Sequence, residues 1–445
     1  MAKLFGTDGI RGRANDLLTP ELALSIGRAA AACLAKEGGG TIIVGRDPRR
    51  SGAMLEGALA SGIASAGLDV CLVGVVTTPC LAWLAKNIPG AGGGAMISAS
   101  HNPMEDNGIK FFNPQGYKLK DSQEKAIEDQ HFRGLAGPRP RGEKIGRIYR
   151  QENLADKYRA YLLSTLEAPL SGIRVLADCA NGSAAAFAPA LFAAAGAQVR
   201  AINAEPDGIN INRECGSTHP QGLAAAVRSD SVDLGLAFDG DADRLIAVDD
   251  RGEIVDGDKI MLICAKALKL KNKLSRDTLV VTVMSNLGLI LAARDLGIKT
   301  VATKVGDRFV LEEMLRGGYS LGGEQSGHII FRDYATTGDG LLSALQLMQV
   351  MNQTGLALSE LARIMAYLPQ VLVNVPVASK VGWEENPRIQ AKIAWATAEL
   401  GDQGRVLVRP SGTEPLIRVM LEGPQEGELQ ALAKVIAAVI KSEQG

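Results

Sequence analysis

Thr41-Ile42-Ile43-Val44 is a short, β-branched apolar run, and the segments after it decide the fold. A small-residue helical segment begins at Ala53, and a second apolar run lies around Val70 to Val76. Another short helical segment leads to a run ending at Ala95-Met96-Ile97. Strands alternating with helical stretches call for a sheet covered by helices on both faces, the α/β class. Upstream, Thr19-Pro20-Glu21 supplies a helix N-cap with proline at the first helical position, and Leu22, Ile26, Ala29 and Cys33 form one apolar stripe behind it.

Downstream the rhythm repeats. Gly134 to Gly142 reads Gly-Leu-Ala-Gly-Pro-Arg-Pro-Arg-Gly, the most linker-like stretch, and closes a first unit over 1–150. A second unit, 151–253, begins with a helix near Asp156 and carries strands at Val175 to Asp178, Val199 to Ile202 and Leu234 to Phe238. A third, 254–369, has a strand at Leu279 to Val283 and a helix from Leu287. The last, 370–445, reads strand, helix, strand (Arg405 to Val408), strand (Leu416 to Leu421) and a helix from Glu428 to Lys441. At 445 residues the chain outgrows one core, so three or four domains are expected, with a single large barrel as the alternative.

The 48 basic and 49 acidic residues nearly cancel, so no global field favours nucleic acid or an anionic membrane, and neither is expected as a partner. Met1 to Gly6 lacks the apolar stretch of a signal peptide, and no run of about 18 apolar residues suggests a membrane span, which points to the cytoplasm. Six cysteines without metal-ligand or redox spacing read as reduced packing residues.

Four segments carry chemistry-bearing side chains. Ser98-Ala99-Ser100-His101-Asn102-Pro103 follows an apolar strand, at the sheet edge where α/β proteins place ligands. A serine beside a histidine suggests an activated nucleophile, although alone it also reads as a polar turn. Asp239-Gly240-Asp241-Ala242-Asp243-Arg244 places carboxylates at every second position, as a hard cation requires. Arg244 at the sixth position and Asp250 at the twelfth exclude an EF-hand, and an oxygen-only set favours Mg²⁺ over zinc. Without a cation the clustered carboxylates would raise one another's pKa; a solvated acidic turn is the alternative. Arg409-Pro410-Ser411-Gly412-Thr413-Glu414-Pro415 has the parts of a phosphate cradle, or of a surface turn. Gly322-Gly323-Glu324-Gln325-Ser326-Gly327-His328 offers a carboxylate, an amide, a hydroxyl and an imidazole suited to sugar hydroxyls, or incidental polarity in a glycine-bounded loop.

In this order, over nearly the whole chain, the four motifs resemble the α-D-phosphohexomutase family. Further strings resemble its glucosamine-phosphate branch: Phe5 to Gly12, Asn107 to Phe112, Cys215 to Pro220, Met284 to Leu289 and Thr336 to Leu341. Relatives acting on glucose or mannose phosphates tend to carry Met or Glu where Gln325 stands. Met104-Glu105-Asp106, Gly92-Gly93-Gly94 and Thr78-Pro79-Cys80 depart from the usual pattern; the glycines are expected to loosen the approach to their strand.

The resemblance implies four domains around a central cleft, three similar mixed α/β three-layer domains and a C-terminal α+β domain of the TATA-binding-protein-like class. It implies conversion of glucosamine 6-phosphate to glucosamine 1-phosphate through phosphorylated Ser100 and a sugar 1,6-bisphosphate, feeding UDP-N-acetylglucosamine synthesis, and in some members a homodimer. One Mg²⁺ per chain would be held by Asp239, Asp241, Asp243 and the phosphate on Ser100, with Arg11, Arg244 and His101 near the transferring group. Lys110 and His328 are the acid/base candidates, Lys110 only if neighbouring cations lower its pKa. Glu324, Gln325 and Ser326 would read the sugar, and Arg409, Ser411, Gly412 and Thr413 would hold the other phosphate. The same chemistry on glucose or mannose phosphates, a metal-dependent phosphatase, and a silent sugar-phosphate-binding protein stay open.

Overall fold

A computed structural model describes residues 4–6, 8–34, 40–134, 139–411 and 414–445. Its first compact unit comprises 1–284 and 298–364, its second 285–297 and 365–445.

The first unit contains three sheets among the described residues. The first is built from β1 (Ile10–Arg13), β2 (Thr41–Arg46), β3 (Val70–Val75), β4 (Ala91–Ile97), β5 (Asp106–Phe112) and β6 (Ile148–Arg150), in the order β1-β5-β4-β2-β3-β6. β2, β3, β4 and β6 run parallel, while β5 and β1 are antiparallel additions at one edge. Ile42, Val44, Ala95 and Ile97 pack into one core with the helices Pro20–Leu34 and Gly52–Ser65. On the other face the backbones of Gly45 and Gly94 lie against Leu81 and Ala85 of the helix Thr78–Asn87. The sheet is thus the middle of three layers.

All three residues of Gly92-Gly93-Gly94 lie inside β4, and its pairing with β2 shifts register at Gly92, since Thr41 faces Ala91 and Ile42 faces Gly93. Gly93 has φ +135° and a Cβ there would stand 2.6 Å from Phe112 O, so glycine permits close pairing with β5. In the helix Pro20–Leu34 the expected stripe faces the core, with Ile26 and Ala29 buried and Leu22 and Cys33 half-buried against the same cluster, and the packed face widens to Ala23, Ala30 and Leu34.

β7 (Arg174–Asp178), β8 (Gln198–Ile202), β9 (Leu234–Phe238), β10 (Leu245–Asp249) and β11 (Ile254–Val255) form the second sheet, in the order β11-β10-β9-β7-β8. The third has β12 (Thr278–Thr282), β13 (Lys299–Thr303), β14 (Leu321–Gly323) and β15 (Ile329–Phe331), in the order β13-β12-β14-β15. The helix Gly340–Thr354 begins at Asp339, whose carboxylate accepts the Leu342 amide at 3.0 Å, and ends at Gly355 in the left-handed region.

The second unit is α+β. β16 (Gln370–Pro376), β17 (Arg405–Pro410) and β18 (Leu416–Glu422) form an antiparallel sheet in the order β16-β18-β17. Ile389 and Ala396 of the helix Pro387–Leu400 and Leu429, Ala433, Ile436 and Ile440 of the helix Glu426–Gln444 pack on Val419 and Leu421. Truncating one such buried isoleucine to alanine costs about 2–5 kcal/mol, a large share of a small domain's stability. The helix Leu287–Asp295 groups with this unit, tied in by Asn286 Nδ2, which donates to Leu368 O at 2.9 Å and to Glu422 Oε1 at 3.2 Å. Among the described residues no helix is long and apolar enough to cross a membrane. Cys71, Cys80, Cys179, Cys215 and Cys264 are buried, as packing residues are.

Candidate active site

The turn after β4 is gripped from below. Ser98 Oγ donates to Asp47 Oδ2 at 2.7 Å and accepts the Ser100 amide at 2.9 Å. Ser100 has φ +52°, a left-handed conformation that costs a non-glycine residue about 1–2 kcal/mol and needs outside support. The buried Arg49 supplies it: Nε donates to Asp47 at 2.9 Å, Nη2 to Ser100 O at 2.9 Å and Asn102 O at 2.8 Å, and Nη1 to Asp106 O at 3.0 Å. From the second sheet's side Asn212 Nδ2 adds bonds to Ser100 O at 2.9 Å and Asn102 O at 3.0 Å. This turn is a fixed platform.

Its hydroxyl points at the acidic motif. Ser100 Oγ donates to Asp239 Oδ2 at 2.6 Å and lies 3.4 Å from His101 Nδ1. Asp239, Asp241 and Asp243, in the β9–β10 connection, are all buried, with one oxygen from each within 4.8 Å of the others. Burial first, and then the charges of Asp243 and Asp241, push the Asp239 carboxyl well up. Burial also opposes the charge on Asp241, but Lys110 and the Thr78 hydroxyl, at 3.2 and 2.6 Å, outweigh it and hold that carboxyl down. Asp241 Oδ1 and Asp243 Oδ1 are buried without a hydrogen-bond partner. Orphaned anionic oxygens converging with a third carboxylate are what a divalent cation satisfies, so these residues fit Mg²⁺.

Positive groups surround the motif. Arg244 donates its amide to Asp239 at 3.3 Å; burial opposes its charge, but Asp243, Asp239 and Glu324 raise its proton affinity. Burial, then Arg244 and Arg11, push His101 down to about 4, so its imidazole is neutral near pH 7. Lys110 was expected to need cationic neighbours, and the structure gives it anionic ones. Burial opposes its charge, yet Asp241, Asp8 and Asp243 outweigh it and hold the ammonium above the ordinary lysine range. Arg11 bonds Asp8, which also meets Lys110 at 2.9 Å.

The sugar motif is bound into the same unit. Glu324 Oε1 accepts the Gly306 amide at 2.9 Å, Gln325 Nε2 donates to Asp256 at 3.2 Å, and Gly327 O accepts the Leu245 amide at 3.0 Å beside the acidic turn. Ser326 is exposed, and His328 is buried with both ring nitrogens unbonded. In the second unit Arg409 faces Arg418 across β17 and β18, and burial and then Arg418 lower its proton affinity. Like charges directly opposite each other are destabilising, and the Glu414 carboxylate meets Arg418 at 3.1 Å. Ser411 is buried; its Oγ accepts the Glu414 amide at 3.3 Å and its carbonyl accepts from Lys380 at 2.8 Å. Gly412 and Thr413 lie outside the described residues.

Family models described as phosphoglucomutase/phosphomannomutase match residues 2–136 (alpha/beta/alpha domain I), 156–252 (domain II), 256–367 (domain III) and 372–439 (C-terminal domain). The chain belongs to the phosphoglucomutase/phosphomannomutase family. Relatives called phosphoglucosamine mutase, from Symbiobacterium thermophilum and Halalkalibacterium halodurans, are 54% and 53% identical, each covering all of both chains. A solved phosphoglucomutase/phosphomannomutase family protein from Burkholderia thailandensis superposes with a TM-score of 0.84 at 25% identity, covering 99% of this chain and 97% of its own. The Aspergillus fumigatus N-acetylphosphoglucosamine mutase, solved with GlcNAc-6P and magnesium, has a TM-score of 0.71 at 18% identity, over 99% and 96%, a likeness of fold.

Residues that motif reading left without a role also hold this site. Arg49, Thr78, Asn212, Lys118 and Asp307 belong to none of the four motifs, and Asp8 and Asp47 sat in quoted or neighbouring turns without an assignment. Two of them left a local trace, Asp47 as an i, i+2 ion pair with the buried Arg49 and Asp8 as an i, i+3 pair with Arg11.

Proposed function

We propose that this protein has phosphoglucosamine mutase activity, interconverting glucosamine 6-phosphate and glucosamine 1-phosphate in the cytoplasm and so supplying UDP-N-acetylglucosamine synthesis. The hydrogen bond from Ser100 Oγ to Asp239, between residues 139 apart in sequence, carries the reading, since it joins a hydroxyl nucleophile to the acidic triplet. The full-length relatives of that name support the substrate.

In this reading Ser100 enters phosphorylated. Its P–Oγ bond breaks as the phosphoryl group joins O1 of glucosamine 6-phosphate; the O1 proton leaves to a base and Oγ recovers a proton. The 1,6-bisphosphate turns over, and the phosphoryl on O6 returns to Oγ by the same exchange. Asp239, Asp241 and Asp243 would hold Mg²⁺ with the phosphate on Ser100, and the ion would neutralise charge on the transferring group. The Ser98 hydroxyl, Arg49 and Asn212 hold the Ser100 backbone in place, while Arg11, Arg244 and neutral His101 stand by the transferring group. Glu324, Gln325 and Ser326 bind sugar hydroxyls, and Arg409, Ser411, Gly412 and Thr413 bind the stationary phosphate. Lys110, held as an ammonium, suits hydrogen-bond donation and general acid work, and His328 remains the base candidate.

Phosphorus NMR of the purified chain with glucosamine 6-phosphate, trace bisphosphate and Mg²⁺ should show the 1-phosphate forming without inorganic phosphate. Ser100→Ala should abolish it. Comparable turnover by Ser100→Ala, release of phosphate alone, or a clear preference for glucose or mannose phosphates would displace this reading.

A further inference from the structure

Lys118 takes part in none of the steps above, yet it sits at the crossing of two charge networks. It follows β5, paired back to Phe112, and its Nζ donates both to Asp8 Oδ1, just before β1, and to Asp307 Oδ2, in the first turn of the helix Asp307–Gly317. Asp8 uses its other oxygen to hold Lys110 at 2.9 Å, and Arg11 besides. Asp307 Oδ2, the oxygen that Lys118 holds, stops 3.9 Å from His328 Nε2.

That last distance is the informative one. A carboxylate beside a buried imidazole ordinarily closes to a hydrogen bond, since an unpaired buried donor costs about 1–3 kcal/mol. Here neither nitrogen of His328 has a partner, although the residue is only 3% exposed. On one side the ring lies against Gly338, where an added Cβ would fall 2.4 Å from Nε2. Asp307, by contrast, is satisfied: burial opposes its charge, and Lys118 foremost outweighs that. Asp8, Lys118, Asp307 and His328 line one cavity of roughly 490 Å³.

We propose that Lys118 is a positioning residue for the mutase reaction: by holding Asp8 and Asp307 together it braces Lys110 and Arg11 and keeps Asp307 from capturing His328, leaving that imidazole free for the sugar. This rests on the function proposed above. The segments it joins have other ties, Arg308 with Asp121, and Thr336 Oγ1 donating to Gly116 O at 2.6 Å, so the role of Lys118 is more local than holding them side by side. An ammonium with three donors serves two carboxylates at once, which a neutral side chain of similar length does not.

The test compares full-length, phosphorylated wild type with Lys118→Met, Lys118→Arg, Asp307→Asn and the Lys118→Met/Asp307→Asn double variant on glucosamine 6-phosphate. Lys118→Met should lose about 100-fold in kcat with KM within about threefold, the pattern of a misplaced group rather than lost substrate binding. Lys118→Arg should recover about tenfold or more of that loss. The double variant should be several-fold faster than Lys118→Met alone, because the neutral amide put in place of the Asp307 carboxylate no longer captures His328. If Lys118→Met does not fold, Lys118→Gln and its double with Asp307→Asn carry the same comparison. Wild-type-like kcat in the Lys118 variant, a loss confined to KM, or a double variant no faster than the single would overturn the inference. A wild type without mutase turnover would instead refute the proposed function.

Discussion

Arg49→Met removes the buried guanidinium under the Ser100 turn while keeping an unbranched side chain in its place. The variant leaves Asp47 buried with only the Ser98 hydroxyl and the backbone amide of residue 49 as partners, and strips a donor from the carbonyls of Ser100, Asn102 and Asp106. Breaking a buried ion pair from one side costs about 3–5 kcal/mol. For a folding unit of about 150–250 residues each kcal/mol moves Tm by roughly 2–4 °C, so a fall of about 6–20 °C is expected. The penalty should depend on pH. Burial already raises the Asp47 carboxyl, and Arg49 is the largest influence opposing that rise. Without Arg49 the folded-state pKa climbs further above its unfolded value, and a group shifted in that sense contributes stability at low pH that is lost as pH rises through the folded pKa. The gap between variant and wild type should therefore be widest at pH 8 and narrow toward pH 5. Scanning calorimetry across that range reads it, with hydrogen exchange at Met96 and Ile97 assigning the transition that moves. A Tm within about 2 °C of wild type at pH 8, or a gap that widens on acidification, would refute the reasoning.

Chelation should stop turnover and Mg²⁺ restore it, and Thr78→Val, which removes the hydroxyl bonded to Asp241, should weaken Mg²⁺ binding by about 10–100-fold in calorimetric titration. Gly340→Ala would place a Cβ 2.5 Å from Arg244 O and 3.0 Å from Ala242 O, pushing on the acidic turn; kcat should fall about 100-fold with helical circular dichroism retained, and an unchanged rate would contradict the placement. His101, pushed down to about 4, stays neutral in the folded chain while its unfolded counterpart takes a proton below about pH 6.5. It thus contributes a loss of stability between those values, and in the metal-free protein His101→Asn should flatten that part of the Tm-against-pH curve.

What the amino-acid order discloses is local. Thr41 to Val44, Leu234 to Phe238 and Arg405 to Val408 read as strands because a β-branched or apolar run announces itself within a few residues, and the structure places strands there. The acidic turn was legible for the same reason, its three carboxylates being two residues apart. Gly92 to Gly94 lie inside a strand that bulges at Gly92, and only the carbonyl of Phe112 shows why glycine is needed at Gly93. The neighbours of Lys110 were likewise out of reach: Asp241 lies 131 residues away in sequence and Asp8 in the turn before β1. Lys118 and Asp307, 189 residues apart, have no local signature at all. Chemistry-bearing side chains cluster in short motifs of this sequence, whereas the residues that hold them in place are brought together only by the packed structure.

In the proposed function Asp239, Asp241 and Asp243 would hold one divalent ion together with the phosphate on Ser100. Electron-nuclear double resonance on the Mn²⁺-loaded phosphoprotein measures that contact directly. The account predicts strong phosphorus coupling to the metal that disappears in Asp241→Asn; manganese bound with no phosphorus coupling while turnover persists would contradict it.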